Sequence, residues 1–233
     1  MKHIKGTLLV MALMTSSLTL AQSTQNSIYI DQVGDNATIT LTQEGQGNQV
    51  GDTNTQTPFT LEGSGQTVSI TQTGNSNKIN GDIKQSDGST TTVNMTGDSN
   101  QLQFDVGNSA DTSGSTSTLT VEGSSNDITI NQGKVSAATN LNQTMTVTGD
   151  LNIVTQNIET NDVTNNITLQ GDQNVLNTTQ NGQPGKNIDL NVVGNQNQFN
   201  INQKSTLTVD SVQINTVGSS GTWNINQCNA GGC

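Results

Sequence analysis

The chain has 233 residues, with 7 basic and 18 acidic side chains, a formal net charge of −11 and 29% hydrophobic residues. It contains no Arg, and its one His is His3, so it lacks the basic footprint that neutralises nucleic-acid phosphates. It also lacks the best anion clamp of enzymes and, beyond position 3, their commonest acid–base group. Its carboxylates are scattered over outward and loop positions without a paired, desolvated constellation, so no catalytic residue, no enzymatic activity and no cofactor are expected.

At the start of the chain, Lys2 and Lys5 precede an apolar run at residues 8–14, and Thr19-Leu20-Ala21 follows. That pattern reads as a secretory signal peptide spanning residues 1–21, cleaved after Ala21. The run is shorter than the ~20 apolar residues needed to span a bilayer, and no later segment is long enough, so no membrane span is expected. Removal of the leader takes two Lys, leaving five basic against 18 acidic residues and a net charge of −13.

After a short segment at residues 22–27, residues 28–227 carry a repeat whose punctuation is Gly-x-x-Asn. The copies are Gly45 to Asn48, Gly74 to Asn77, Gly97 to Asn100, Gly123 to Asn126, Gly149 to Asn152, Gly171 to Asn174 and Gly194 to Asn197. The later ones recur at roughly 22 to 26 residues, an interval that marks solenoids and other arrays. Apolar residues sit at alternate positions before the Gly and after the Asn, the period of a half-buried strand. Around Gly123, Leu119 and Val121 share one face with Asn126, Ile128, Ile130 and Gln132, while Thr118, Thr120, Glu122, Asp127, Thr129 and Asn131 take the other. The same parity returns around Gly194 and, without the Asn, around Gly218.

A strand–arc–strand unit of this size cannot bury its apolar face alone and stacks on copies of itself. The expected fold is therefore an all-β β-solenoid of two-strand layers, about eight or nine of them, each advancing ~4.8 Å. Stacking sets like residue on like residue. The inward Asn of the arc and the outgoing-strand Gln, at Gln132, Gln156, Gln180, Gln203 and Gln227, are expected to form amide ladders. Gly supplies the positive φ of the arc.

Gln43-Glu44-Gly45-Gln46-Gly47-Asn48 and Gln72-Thr73-Gly74-Asn75-Ser76-Asn77 carry Gln-x-Gly-x-x-Asn, and Gln32-Val33-Gly34-Asp35-Asn36-Ala37 carries it one residue short. On these residues the chain resembles the curlin family, the subunits of bacterial curli fibres, whose repeat is Ser-x5-Gln-x-Gly-x-x-Asn-x-Ala-x3-Gln. Later copies depart from it, with Met95, Val121, Val147, Leu169 or Val192 where the pattern has Gln before Gly, which implies a more apolar core. The resemblance implies secretion across the outer membrane, end-to-end polymerisation into extracellular amyloid for biofilm matrix and adhesion, and partners of a curli-type secretion and nucleation system.

The remaining features read as structural. Of the aromatic residues, Phe104, Phe199 and Trp223 take inward parity as core fillers and Tyr29 the opposite parity. Asp35, Asp98, Asp150 and Asp172 in the arcs are turn formers, without the density of a calcium-binding roll, and no metal site is expected. Outward Thr is abundant, but the pairs Asn94 and Thr96, Thr120 and Glu122, Thr168 and Gln170, and Asn191 and Val193 break the ranks an ice-ordering face would need. The return connections at residues 107–117, 133–142, 157–163 and 181–187 vary in length and read as solvated loops, and residues 53–59 interrupt the repeat. In the tail, residues 228–233, Cys228 and Cys233 favour a disulfide over a metal site in an exported chain; an internal bridge, a bridge between subunits and free thiols all remain open.

Two functions follow from this reading. The first is a secreted, self-assembling structural subunit of a curli-like fibre. The second is a monomeric or stalk-like β-solenoid adhesin of the glycan- or ice-binding kind. They differ in whether the chain persists as a monomer.

Overall fold

The computed structural model describes residues 25–52, 55–84, 87–103, 112–131, 138–159, 161–171, 174–181, 185–194, 196–204, 211–218 and 221–228. Among them there is no helix, and the chain winds as a parallel β-solenoid. One sheet holds nine outgoing strands: Ser27–Ile28, Gln49–Val50, Lys78–Ile79, Gln101–Gln103, Asp127–Ile130, Ile153–Glu159, Val175–Asn181, Gln198–Gln203 and Thr222–Gln227, in that spatial order. The facing sheet holds eight incoming strands: Thr38–Glu44, Thr67–Thr73, Thr90–Thr96, Thr116–Glu122, Asn142–Thr146, Thr164–Asn165, Asn187–Val192 and Ser211–Thr216. They stack as a β-solenoid of about seven turns, slightly fewer than the eight or nine layers expected.

Alternation does the sorting. In Thr67–Thr73 every second residue is buried, and the same pattern runs through Thr116–Glu122 and Val175–Asn181. Parallel in-register pairing then aligns the inward residues into columns. Ile70, Val93, Leu119, Met145 and Leu190 lie along the incoming sheet, while Val50, Ile79, Leu102, Ile128, Val154, Leu176 and Phe199 lie along the outgoing one. All belong to a single continuous core, and each fully buried Leu, Ile or Phe contributes about 1.5–3 kcal/mol.

The early rungs differ from the two-strand expectation. A third short sheet of Ile30–Val33, Phe59–Glu62 and Asp82–Ile83 gives the rod three sides there, before it narrows to two. At the interruption Asp52 N–H donates to the Thr57 carbonyl at 2.7 Å and Thr57 N–H returns the bond to Asp52 at 2.9 Å. The chain rejoins the core at the buried Phe59.

The copy at Gly34 to Ala37 is not an arc of the Asn series. It heads a second column of turns on the opposite edge of the incoming sheet, in which Gly65 donates to Asp35, Gly88 to Ser64, Gly114 to Asp87, Asn140 to Ser113, Asp162 to Thr139 and Gly185 to Asn161. Asn36, Gly65, Gly88, Gly114, Asn140, Asp162 and Gly185 all have positive φ. Of the return connections, residues 107–111, 133–137, 160 and 182–184 lie outside the described residues, and the parts that follow them close on this turn before the next strand. Near two of them, Ala138, Leu141, Ile158 and Val163 bury one another in a small second core.

Gly97 and Gly88 separate two costs of the turns. Both have positive φ, but a β-carbon on Gly97 would land on the Gly123 carbonyl oxygen of the next rung, whereas one on Gly88 would meet open space. Gly88→Ala is expected to destabilise by about 1 kcal/mol, the left-handed backbone penalty alone. Gly97→Ala is expected to cost at least about 3 kcal/mol, because the rungs must separate to admit the methyl. Denaturant midpoints of the two variants test the difference, and equal midpoints would refute the stacking argument.

Candidate functional site

The arc residues form a ladder along one edge of the rod. Asn26, Asn48, Asn77, Asn100, Asn126, Asn152, Asn174 and Asn197 stack, and from Asn48 onward each is fully buried or nearly so. Each Oδ1 points at the next rung. It accepts that rung's backbone N–H, at 3.0 Å from Asn77 to Asn48, 3.0 Å from Asn100 to Asn77, 3.0 Å from Asn126 to Asn100 and 2.9 Å from Asn152 to Asn126. From Asn100 to Asn197 the following Nδ2 also donates to it, at 3.0–3.3 Å. In the early rungs the same Nδ2 reaches forward to the next Gly carbonyl, as from Asn48 to Gly74 at 2.7 Å and Asn77 to Gly97 at 2.6 Å.

The bonding changes near the C-terminal end. Asn174 and Asn197 turn their Nδ2 back to the carbonyls of their own Gly171 and Gly194, at 2.9 and 2.7 Å. In the last rung Gly221 stands where an Asn would continue the ladder, and a β-carbon on it would strike the ring of Trp223. Trp223 itself stacks on Phe199 with ring centroids 4.7 Å apart and planes within 7°. The Oδ1 of Asn197 is left buried without a partner, so the amide ladder stops one rung short of the end.

The outgoing Gln residues do not make the single ladder expected of them. Gln180, Gln203 and Gln227 share a column, and Gln203 donates to Gln227 at 2.8 Å. Gln156 lies two positions away, aligned with Ile130 and Thr178, and its Oε1 accepts from Asn165 and Thr178, each at 3.0 Å. The cause is its spacing: it follows its Asn by four residues where the others follow by six. On the incoming sheet Gln43 donates to Gln72 at 2.7 Å, the pair that the first two repeats share. Gln132 and Cys233 fall outside the described residues, as do the leader at 1–21 and Phe104; Cys228 is disulfide-bonded. Gly218, grouped with the repeat from the sequence, is exposed, and a β-carbon on it would meet open space.

Sequence reasoning missed a second exposed ladder over the arcs. Asn75 Oδ1 accepts the Gln46 N–H at 3.0 Å, Asp98 accepts that of Asn75 at 2.6 Å, and Ser124 Oγ accepts that of Asp98 at 3.2 Å. Their shared place after the Gly was the available signal. Register also revises the outward Thr pattern. The broken ranks belong to the columns nearest the arc, whereas the columns further upstream, beginning at Thr38 and Thr40, are mostly Thr over the first five incoming strands, with Ser69 and Asn142 the exceptions.

The two ends of the rod are alike in one respect. Ile30, Ile39 and Leu41 at one end, and Ile214, Trp223 and Ile225 at the other, are only partly buried although they belong to columns buried elsewhere. Each terminal strand pairs on one side only, so its other edge presents free N–H and C=O groups. Among the described residues no group of three or more His, Cys, Asp or Glu gathers to hold a metal, and no helix is long and apolar enough to cross a membrane. No family model, curated protein or solved structure matches this chain.

The ladder makes a direct prediction. Asn126→Ala removes the acceptor of the Asn152 N–H and the donor to the Gly149 carbonyl, both in the interior of the stack. At roughly 1–3 kcal/mol for each orphaned group, a loss of about 3 kcal/mol is expected. Asn200→Ala, on the exposed face of the outgoing sheet, should stay within about 0.5 kcal/mol of the parent. Urea midpoints of the two variants check this, and similar midpoints would remove the ladder from the stability argument.

Proposed function

We propose that the chain is a secreted structural subunit that polymerises end to end into curli-like fibres of the kind that build matrix and mediate adhesion. The observation that carries this reading is the pair of open ends. Inward residues that are buried in every middle rung are half exposed at Ile39, Leu41, Trp223 and Ile225, beside unpaired strand edges. A second copy can cover both without altering the geometry of the stack, since its Ile28 continues the column that ends at Trp223. The curlin-type repeats at Gln43 and Gln72 support the same reading, as does the leader-like pattern at residues 1–21. Export and nucleation partners of a curli type belong to this proposal.

One observation favours the second reading, a monomeric or stalk-like adhesin. Gly221 ends the Asn ladder and Trp223 fills the space above it, so the last rung differs chemically from those before it. A rod finished in this way could persist without a partner.

Electron microscopy of residues 22–233 after dilution from denaturant, with and without preformed seeds, distinguishes the two. Fibres that grow faster with seed are expected. Growth should quicken with added salt, because the acidic rods repel and the Debye length falls from about 10 Å at 0.1 M to about 3 Å at 1 M. Ile225→Asp, which sets a charge on the open end, should suppress elongation while leaving the β-sheet circular dichroism of the rod intact. Persistent monomeric rods, or growth unaffected by Ile225→Asp, would overturn the fibre reading.

A further inference from the structure

The outward face of the incoming sheet carries a lattice that neither stacking nor end-to-end assembly requires. Three outward columns cross the first five incoming strands. They are Thr38, Thr67, Thr90, Thr116 and Asn142; Thr40, Ser69, Thr92, Thr118 and Thr144; and Thr42, Thr71, Asn94, Thr120 and Thr146. Twelve of these fifteen positions are Thr and the others are Ser or Asn. Although the chain has 18 acidic residues, none stands among the fifteen; Glu44 and Glu122 lie at the margin, in the next column.

Strand preference alone does not account for this. On the outgoing sheet the outward column nearest the arc reads Ser27, Gln49, Lys78, Gln101, Asp127, Ile153, Val175, Gln198 and Thr222, and the next reads Gln103, Thr129, Thr155, Asn177, Asn200 and Asn224, so neither keeps Thr. The hydroxyls of the Thr face are also uncommitted. Among the described residues none of the twelve bonds another protein group.

Parallel register repeats a hydroxyl and a methyl every ~4.8 Å across the strands and every ~6.7 Å along them, over roughly 20 Å of rod. The β-branched side chain holds few rotamers, so little order is lost when the lattice meets a partner. The partner must be neutral, because the face offers no charge to an ion, a phosphate or a charged lipid headgroup. None of the fifteen residues is an aromatic ring on which a sugar could stack. What remains is an extended neutral surface that repeats in two dimensions and can take a hydrogen bond at every hydroxyl.

We propose that this Thr face adsorbs to ice, with the hydroxyls occupying water positions of the crystal and the methyls lying between them. The proposal rests on the fold and not on polymerisation, since the face runs along the side of the rod and stays open whether or not the ends are joined.

The test uses the fluorescently labelled full chain, measured by incorporation into a growing ice hemisphere and by inhibition of ice recrystallisation. The parent should concentrate in the ice and slow recrystallisation. Thr118→Tyr, at the centre of the lattice, should reduce both several-fold, and the double variant T92V/T118V should reduce them while preserving the strand. Thr129→Tyr, outward on the opposite sheet, should leave both unchanged, with circular dichroism confirming that all variants remain folded. Exclusion of the parent from ice would overturn the proposal, and so would equal losses in Thr118→Tyr and Thr129→Tyr. Retention on crystalline cellulose without adsorption to ice would also overturn it and assign the face to a polysaccharide. Fibre growth is scored separately, so failure to polymerise leaves this result intact.

Discussion

The whole rod depends on one close approach. At Gly74, Gly97 and Gly123 the backbone of one arc lies so near the carbonyl of the next that no β-carbon fits between them. That contact sets the rung spacing at the edge of the rod, and the buried Asn beside it holds the register, through Oδ1 to the next backbone N–H and, in the early rungs, Nδ2 to the next Gly carbonyl. Because both bonds are shielded from water, a rung that slipped by one residue would bury orphaned polar groups as well as turn its apolar residues outward. Arc and strand therefore enforce the same register from different sides.

Once the arc fixes register, the columns between can vary. Along one inward column of the incoming sheet the residues run Ile39, Val68, Thr91, Ser117, Gln143, Asn165, Ile188 and Val212, so a polar stretch sits between apolar ends without interrupting the sheet. A column of the outgoing sheet passes from Val50 to Trp223 through only apolar residues. Substitution within a column changes volume and polarity locally, whereas substitution at the arc changes the spacing of every strand that follows.

Fold and ladder were legible in the sequence because both obey short periods. Alternation separates Leu119 and Val121 from Thr118 and Thr120, and recurrence of Gly-x-x-Asn names the stacked Asn residues from Asn48 to Asn197. What was not legible depends on register between rungs, which one strand does not contain. Gln156 resembles Gln180 and Gln203 by type but sits two residues closer to its Asn, so it falls in another column. Gly34 to Ala37 resembles an arc, yet the bond from Gly65 to Asp35 puts it at the opposite corner. That second corner stayed hidden because its turns use Gly, Asn or Asp interchangeably and follow connections of unequal length. The Thr lattice was obscured for the same reason: pairs taken beside the arc, such as Thr120 and Glu122, are mixed, while the pairs further upstream, from Thr38 and Thr40 to Asn142 and Thr144, are neutral and mostly Thr.

The ends and the sides of the rod face different physical demands. An end must complete hydrogen bonds and cover half-exposed Ile225 or Leu41, which only a surface with the pitch of this solenoid can do. On a side the described strands are paired between neighbouring rungs, so recognition there falls to side chains repeated at the strand spacing. Stacking identical units produces such repetition without further design, and on the outer face of the outgoing sheet it gives a mixed column nearest the arc and columns of Thr and Asn further along. Beside those columns, Thr is denser from Thr38 to Thr146 on the incoming sheet, at twelve of fifteen outward positions. Adsorption to an extended neutral surface, as proposed, would account for that density through the side of the rod and independently of what the ends do.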